Sequence, residues 1–354
     1  MKMIRSIYEF FFPICGGGIE NQEIEEVNES DDEFPKYLHE VIGQKRAVKI
    51  LNKITIDTFK QRAEKDCDFM PKHIVLHGPP GLGKSTLAKA FSNGIFARRF
   101  FYTGTTISRR SDIDSIIKVL SEKLYALLFI DEVHRMPERI EEELYEPMQD
   151  GQYHGEDLRS FTMVGTTTIL GMLSKPLRDR FTYKVQLEPY EDEDLARILA
   201  TLAEKQQNAK LSKTLALEMA KRAQGIPRVA KDILEYSRLE KGDGRVYLKR
   251  HILEACQSLG LDRMGLNEQQ RALLRALAEH NTPIGRNTLC AMLDTKSETL
   301  EQVIERFLIK QGFILKTSGG RVIADKGREY IELVDSGNGG LPIGLINDEK
   351  GKWL

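Results

Sequence analysis

Gly78-Pro79-Pro80-Gly81-Leu82-Gly83-Lys84-Ser85 is the stretch on which the fold turns. It satisfies G-x-x-x-x-G-K-[S/T], a loop whose glycines let backbone N–H groups turn inward around phosphate oxygens where a Cβ would obstruct them. Lys84 brings a positive charge to the β- and γ-phosphates of a nucleotide, and Ser85 brings a hydroxyl for Mg2+. The start of the following helix adds its dipole. The setting is the one such a loop requires. His73–His77 is a short apolar run that enters the turn, and Ser85–Asn93 reads as the helix that leaves it. Gly78, Pro79, Gly81, Gly83, Lys84, Ser85 and Thr86 are the expected phosphate-binding residues.

Downstream, Leu127-Leu128-Phe129-Ile130-Asp131-Glu132 places two carboxylates directly after four apolar residues. A continuous apolar run is what a strand buried on both faces of a parallel sheet looks like. Acids at its C-terminal end stand where parallel sheets bind ligands. Asp131 is placed for the Mg2+ shell, and Glu132 for polarising an attacking water as general base. Loop and acids together predict hydrolysis of ATP or GTP.

The rest of the chain supplies the frame. Residues 45–66 carry Ala47, Val48, Ile50, Leu51, Ile54 and Ile56 among charges, as a helix would, and Phe161–Thr168 is rich in β-formers. Strands alternating with helices indicate an α/β sheet. After about residue 189 the strand signal fades, and 191–207, 212–224 and 227–239 read as helices, with Gly225-Ile226-Pro227 between the last two. From 267 the order is helix, helix, helix and a turn at Ser318-Gly319-Gly320, the order of a winged helix.

Composition excludes several classes. The chain has 354 residues, with 41% apolar, 30% charged and a formal net charge of -1. This is neither a polycation nor a low-complexity chain. No apolar run reaches the ~18 residues that span a bilayer. Glu9 and Pro13 interrupt the apolar patch Ile7–Cys15, so a secretion signal is not expected. Cys15, Cys67, Cys256 and Cys290 form no C-x-x-C pair, which argues against a zinc site or disulfide framework and fits thiols in a reducing cytoplasm. The near-neutral total hides a division. Residues 19–33 hold eight carboxylates and no basic residue, whereas residues 34–354 carry 50 basic and 44 acidic residues, a net of +6. The acidic block is expected to be a solvated, disordered arm.

Other short motifs narrow the class. Asp131-Glu132-Val133-His134-Arg135 extends the acid pair; Gly165-Thr166-Thr167-Thr168 follows the next strand; Pro176-Leu177-Arg178-Asp179-Arg180-Phe181 and Gly225-Ile226-Pro227-Arg228 complete the series. The series resembles the AAA+ ATPases, and within them the RuvB family of Holliday-junction branch-migration motors. The resemblance also takes in Ile42-Gly43-Gln44 before the loop, Leu259-Gly260-Leu261-Asp262, and Gln311-Gly312-Phe313 before the wing, so it covers about residues 34–333. It implies an α/β AAA+ P-loop core with a parallel sheet (34–188), an all-α lid (189–262), a C-terminal winged helix (263–335), the arm (1–33) and a tail (336–354). It implies ATP and Mg2+, with Ile42 and Gly43 packing the adenine. Thr168 resembles the residue that reads the γ-phosphate, Arg180 the arginine finger that reaches a neighbouring subunit's nucleotide, and Arg228 the arginine donated from the lid. A trans arginine requires a homo-oligomer, and the family implies a hexameric ring on duplex or junction DNA.

Two departures temper the resemblance. The family docks its RuvA partner through a long β-hairpin with an apolar tip, but here only ten residues, 151–160, lie between Asp150 and Phe161. An ordinary RuvA contact is therefore not expected. The family's wing carries several arginines, whereas this turn reads Lys316-Thr317-Ser318-Gly319-Gly320-Arg321. The segment 306–328 still holds six cations against one acid, a net of +5, and Lys310, Lys316 and Arg321 are the expected DNA contacts. The departures also suit a second reading, a nucleotide-switched regulator or protein remodeller with a dedicated partner in a mobile-element or defence system.

Overall fold

The computed structural model describes residues 35–64, 67–207, 209–280 and 282–336. The arm at 1–33 and the tail from 337 onward lie outside the described residues. Contacts divide the chain into two units. The first comprises the described residues up to Gly78 together with Lys84–Leu187; the second comprises Pro79–Gly83 and the described residues from Glu188.

The first unit is built on five parallel strands, β1 (Ile74–His77), β2 (Arg98–Thr103), β3 (Ala126–Asp131), β6 (Phe161–Thr167) and β7 (Tyr183–Gln186), in the order β2-β3-β6-β1-β7. Strands β1 and β3 are apolar along nearly their whole length because both of their faces are covered. Ala126–Ile130 of β3 and all of β6 are buried. Helices Lys45–Glu64, Lys84–Gly94 and Arg110–Glu122 connect and flank the strands. Ile113, Ile116, Ile117 and Leu120 recur at helical spacing and form the core with Val75, Leu128, Ile130 and Met163. Strand β6 lies between β1 and β3. The end of β1 that runs into the phosphate loop and the end of β3 that carries the acids therefore leave one edge of the sheet.

The short segment after Asp150 does form a hairpin. Strands β4 (Gln152–Tyr153) and β5 (Glu156–Asp157) pair antiparallel around His154-Gly155. Both turn residues have positive φ, 53° and 81°, as a two-residue hairpin turn requires. The hairpin folds back on its own unit. The Tyr153 hydroxyl donates to Asp114 Oδ1 at 2.6 Å, Arg110 Nη2 lies 2.9 Å from His154 Nε2, and the His154 N–H donates to Glu146 Oε2 at 3.3 Å. Burial and the Asp114 carboxylate push the Tyr153 phenol up to about 12, so it remains a donor at neutral pH.

In the second unit, helices Asp192–Gln207, Lys213–Arg222, Pro227–Lys241 and Lys249–Ser258 pack around Leu195, Leu199, Met219, Ile233, Leu234 and Ile252. Ser212 caps the second of these by accepting from the Leu215 N–H, and Pro227 opens the third at a position where its missing N–H costs nothing. Beyond them stands the winged helix: Glu268–Ala278, Arg286–Met292, a helical stretch through 297–310, and the antiparallel wing β8 (Ile314–Thr317) and β9 (Gly320–Ile323), closed by Asp325–Asp335. Its core is Leu273, Leu277, Leu289, Leu300, Ile304, Leu308, Phe313 and Ile331. A junction staple joins lid and winged helix. Asp262 accepts from the N–H groups of Met264 and Leu266 and from Tyr330, and Gln224 and Gln270 exchange side-chain hydrogen bonds at 3.0 and 2.9 Å.

No helix of the described residues is long and apolar enough to cross a membrane.

Candidate functional site

The loop divides its contacts between the two units. In the first, Lys84 opens the helix Lys84–Gly94, and its Nζ donates to the Gly78 carbonyl at 2.8 Å. Gly78 has φ +145°, and a Cβ there would lie 2.6 Å from the Leu187 carbonyl oxygen, so only glycine fits. In the second unit, Gly81 (φ +78°) packs against the turn before Pro227–Lys241. A Cβ on Gly81 would lie 2.9 Å from Ile226 Cγ2 and 3.1 Å from Arg228 Cβ. The Arg228 N–H points at the Gly81 carbonyl at 3.4 Å. The expected lid arginine is thus seated beside the phosphate loop within one unit.

The acid pair stands at the end of β3. Asp131 ends the strand, and Glu132 turns away from it in a left-handed conformation, φ 49° and ψ 48°. That conformation is uncommon for a residue with a Cβ and marks a constrained site. Gly104 makes room for it: its N–H donates to the Asp131 carbonyl at 2.7 Å, and a Cβ on Gly104 would lie 2.4 Å from the Glu132 carbonyl oxygen. From the other side Thr166 donates to Asp131 Oδ1 and accepts from the Glu132 N–H at 3.1 Å. The Glu132 carboxylate pairs with Arg135 Nη1 at 3.1 Å. Thr167 is buried, and its hydroxyl meets His134 Nδ1 and the Ile169 carbonyl, both at 3.1 Å. Thr168 follows the last residue of β6 and is partly exposed.

The donor set suits Mg2+. A serine hydroxyl and a carboxylate are hard oxygen ligands, and Mg2+ is held by one or two protein carboxylates plus phosphates and water rather than by an all-protein cage. Ser85 and Asp131 both belong to the first unit. Among the described residues no cluster of three His, Cys, Asp or Glu is arranged to hold a metal.

Arg180 ends the short helix Lys175–Arg180 and lies on a prepared platform. Its guanidinium stacks on the Tyr145 ring, 4.3 Å from the centroid. Its Nε donates to the Tyr145 carbonyl at 3.1 Å, Nη1 to the Pro176 carbonyl at 3.0 Å and Nη2 to Gln149 Oε1 at 2.9 Å. Ser174 caps the helix at its N-terminus and donates to Glu141 Oε2 at 2.7 Å. Buried His73 ties the platform to the sheet: the Met163 N–H donates to its Nδ1 and its Nε2 faces the Met148 carbonyl, both at 2.9 Å. Burial holds that imidazole down to about 4, so it is neutral and donates from Nε2. The resemblance that named Arg180 also took in Leu144-Tyr145 with Met148, but it did not place Tyr145, Gln149 or His73 beneath the guanidinium.

The wing departs from expectation at Arg321. It is 5% exposed, and its guanidinium is taken up by Glu305 at 2.7 and 2.9 Å and by Glu301 at 3.0 Å. Arg321 is therefore an internal ion-pair partner and not a phosphate ligand. Other cations of the segment are also engaged: Arg328 donates to the Ala278 carbonyl at 3.0 Å and Lys326 to the Gln311 carbonyl at 2.9 Å. Lys316 is half exposed, 3.6 Å from Glu301, and Lys310 is exposed. Removing one partner of a buried ion pair leaves the other charge uncompensated, so Arg321→Ala is expected to destabilise the winged helix by about 3–5 kcal/mol. Urea denaturation followed by circular dichroism measures it; a change below about 1 kcal/mol would contradict the buried pair.

The comparisons with known proteins agree with this geometry. Residues 34–187 match the family model described as the Holliday junction DNA helicase RuvB P-loop domain, and residues 263–332 match the RuvB C-terminal winged helix domain. The chain is 36% identical over 313 residues to the Holliday junction branch migration complex subunit RuvB of a Wolbachia from Brugia malayi, covering 84% of this chain and 93% of the relative. It is 37% identical over 346 residues to the RuvB subunit of Granulibacter bethesdensis, covering 91% and 94%. This chain belongs to the RuvB family. The RuvB Holliday junction branch migration motor of Thermotoga maritima superposes with a TM-score of 0.76 at 32% identity, covering 85% of this chain and 98% of that one. The RuvB fold thus carries the expected parallel P-loop core and C-terminal winged helix.

Proposed function

We propose that this RuvB-family chain is an ATP-driven DNA motor that moves the crossover of four-way junctions, the activity its relatives are named for. One observation carries the reading: β3-β6-β1 are adjacent and parallel, so Lys84, Ser85, Asp131, Glu132 and Thr168 all follow the same edge of one sheet. ATP lies with its phosphates against the loop, its adenine against Ile42 and Gly43. Lys84 faces the β- and γ-phosphates. Ser85 and Asp131 would hold Mg2+, which when bound would neutralise charge on the phosphate oxygens. Glu132 accepts the proton of the attacking water, which Thr168 orients. Arg228 approaches from the same chain beside Gly81.

Arg180 serves a neighbouring subunit. A loose phosphoryl transition state spreads charge over its oxygens, and a guanidinium brought to them from outside stabilises it. Such a shared site requires an oligomer, and a hexameric ring closes every site. The winged helix contacts the duplex backbone through Lys310 and Lys316, without reading bases, as suits a motor that passes over any sequence. The chain works in the cytoplasm. A RuvA-type contact through the 151–160 hairpin is not part of the proposal, because its tip is His154-Gly155 and its side chains turn onto the chain's own helix Arg110–Glu122.

ATP turnover measured with and without duplex and four-way-junction DNA across a salt series tests the proposal. Stimulation by DNA that falls steeply with salt is expected, since phosphate contacts release counterions. Turnover indifferent to DNA at the lowest salt would favour the switch or remodeller instead.

A further inference from the structure

We propose that Thr166 is a positioning residue for ATP hydrolysis, whose hydroxyl fixes the Asp131 carboxylate and the Glu132 backbone as one unit. The proposal deepens the nucleotide-site reading above and rests on it.

The direction of each hydrogen bond follows from the donors present. Thr166 is fully buried in β6. The Glu132 N–H, 3.1 Å away, can only donate, so the Thr166 oxygen accepts there. The hydroxyl has one proton, and it goes to Asp131 Oδ1. Both capacities of one side chain are thus spent on consecutive residues of the acid pair. The first bond orients the carboxylate and occupies Oδ1. Among the described residues Oδ2 makes no hydrogen bond, which leaves it for Mg2+. The second bond holds the peptide at which the chain leaves β3 for the left-handed conformation of Glu132. Gly104 clamps the same peptide from β2. The base is therefore aimed by its backbone, supported from the two neighbouring strands.

A buried threonine also fills space, so the alternative is that the methyl group matters and the hydroxyl merely finds the nearest acceptor. Thr162, on the same strand, is such a case: its hydroxyl donates to the Pro71 carbonyl, away from the acids. Two substitutions separate the roles. Thr166→Val keeps shape and removes the hydroxyl; Thr166→Ser keeps the hydroxyl and removes the methyl group.

The experiment is a Mg2+ titration of fluorescent ATP-analogue binding, with steady-state ATP turnover at saturating Mg2+ measured beside it. Groups that orient a metal ligand are worth about 10–100-fold in metal affinity or activity. Thr166→Val is expected to raise the half-saturating Mg2+ concentration about 10-fold and to lower kcat about 10–100-fold, with KM for ATP little changed. Thr166→Ser is expected to stay within about threefold of the parent in both. If Thr166→Val fails to fold, Thr166→Ala against Thr166→Ser makes the same comparison, with only the serine variant retaining function. Parent-like behaviour of a folded Thr166→Val, or a serine variant as impaired as alanine, would overturn the role of the hydroxyl while leaving the nucleotide site standing. Nucleotide binding by the parent chain with no dependence on Mg2+ would overturn both.

Discussion

Replacing Arg180 with alanine is expected to lower ATP turnover by about 10³-fold or more at saturating ATP, with nucleotide binding nearly unchanged. The magnitude follows from what the guanidinium does. It is stacked on Tyr145 and bonded to two carbonyls and Gln149, so its loss removes surface contacts and no core. Stability should therefore hold while catalysis fails. The decisive control is mixing. Arg180→Ala subunits keep an intact nucleotide site, and Glu132→Gln subunits keep an intact finger. A mixture of the two should regain turnover that neither shows alone, because some interfaces pair a good site with a good finger. Absence of complementation in a mixed oligomer would mean that Arg180 acts within its own chain or not at all.

Glu132→Gln is expected to reduce hydrolysis by about 10²–10⁴-fold, the range for loss of a general base, while ATP stays bound. The substitution is nearly isosteric. It leaves the backbone bonds to Thr166 and Gly104 in place, so the left-handed turn at residue 132 should persist. What disappears is the carboxylate, which faces Arg135. Phosphate release together with equilibrium nucleotide binding checks both halves. Turnover within about threefold of the parent would show that another group takes the proton.

How much of this could be read from the sequence differs by element. The phosphate loop, Asp131 and Glu132 were marked in the sequence by fixed residue types at fixed spacing beside a strand or a helix, whereas Arg180 and Arg228 were named only through the resemblance to the family. Strand β3 was legible because burial on both faces leaves an unbroken apolar run. Strand β2 was not: Arg98-Arg99-Phe100-Phe101-Tyr102-Thr103 lies at the sheet edge, partly exposed along its length, so no apolar run marks it. Arg321 was misjudged for a different reason. A count over 306–328 gives +5, but the partners Glu301 and Glu305 stand just upstream, and extending the window to 301 lowers it to +3. Net charge along a segment cannot show which cations are already paired. Thr166 went unread as a site residue because a threonine in a buried strand looks like any β-former. The signal available was a hydroxyl at the end of the strand that neighbours the acid-bearing one.

Asp131, Glu132 and Arg180 belong to the first unit, and the loop residues Pro79–Gly83 belong with Arg228 in the second. Within that second unit Gly81 packs on Ile226 and Arg228, and Gln224 exchanges hydrogen bonds with Gln270 at the start of the winged helix.

The most direct test of the motor is a synthetic four-way junction with one labelled strand, incubated with the protein at low salt. A motor converts it to duplex products with ATP and Mg2+, fails to do so with a non-hydrolysable ATP analogue, and loses the activity in Glu132→Gln. Junctions left intact while the same preparation hydrolyses ATP would contradict branch migration as the function of this chain.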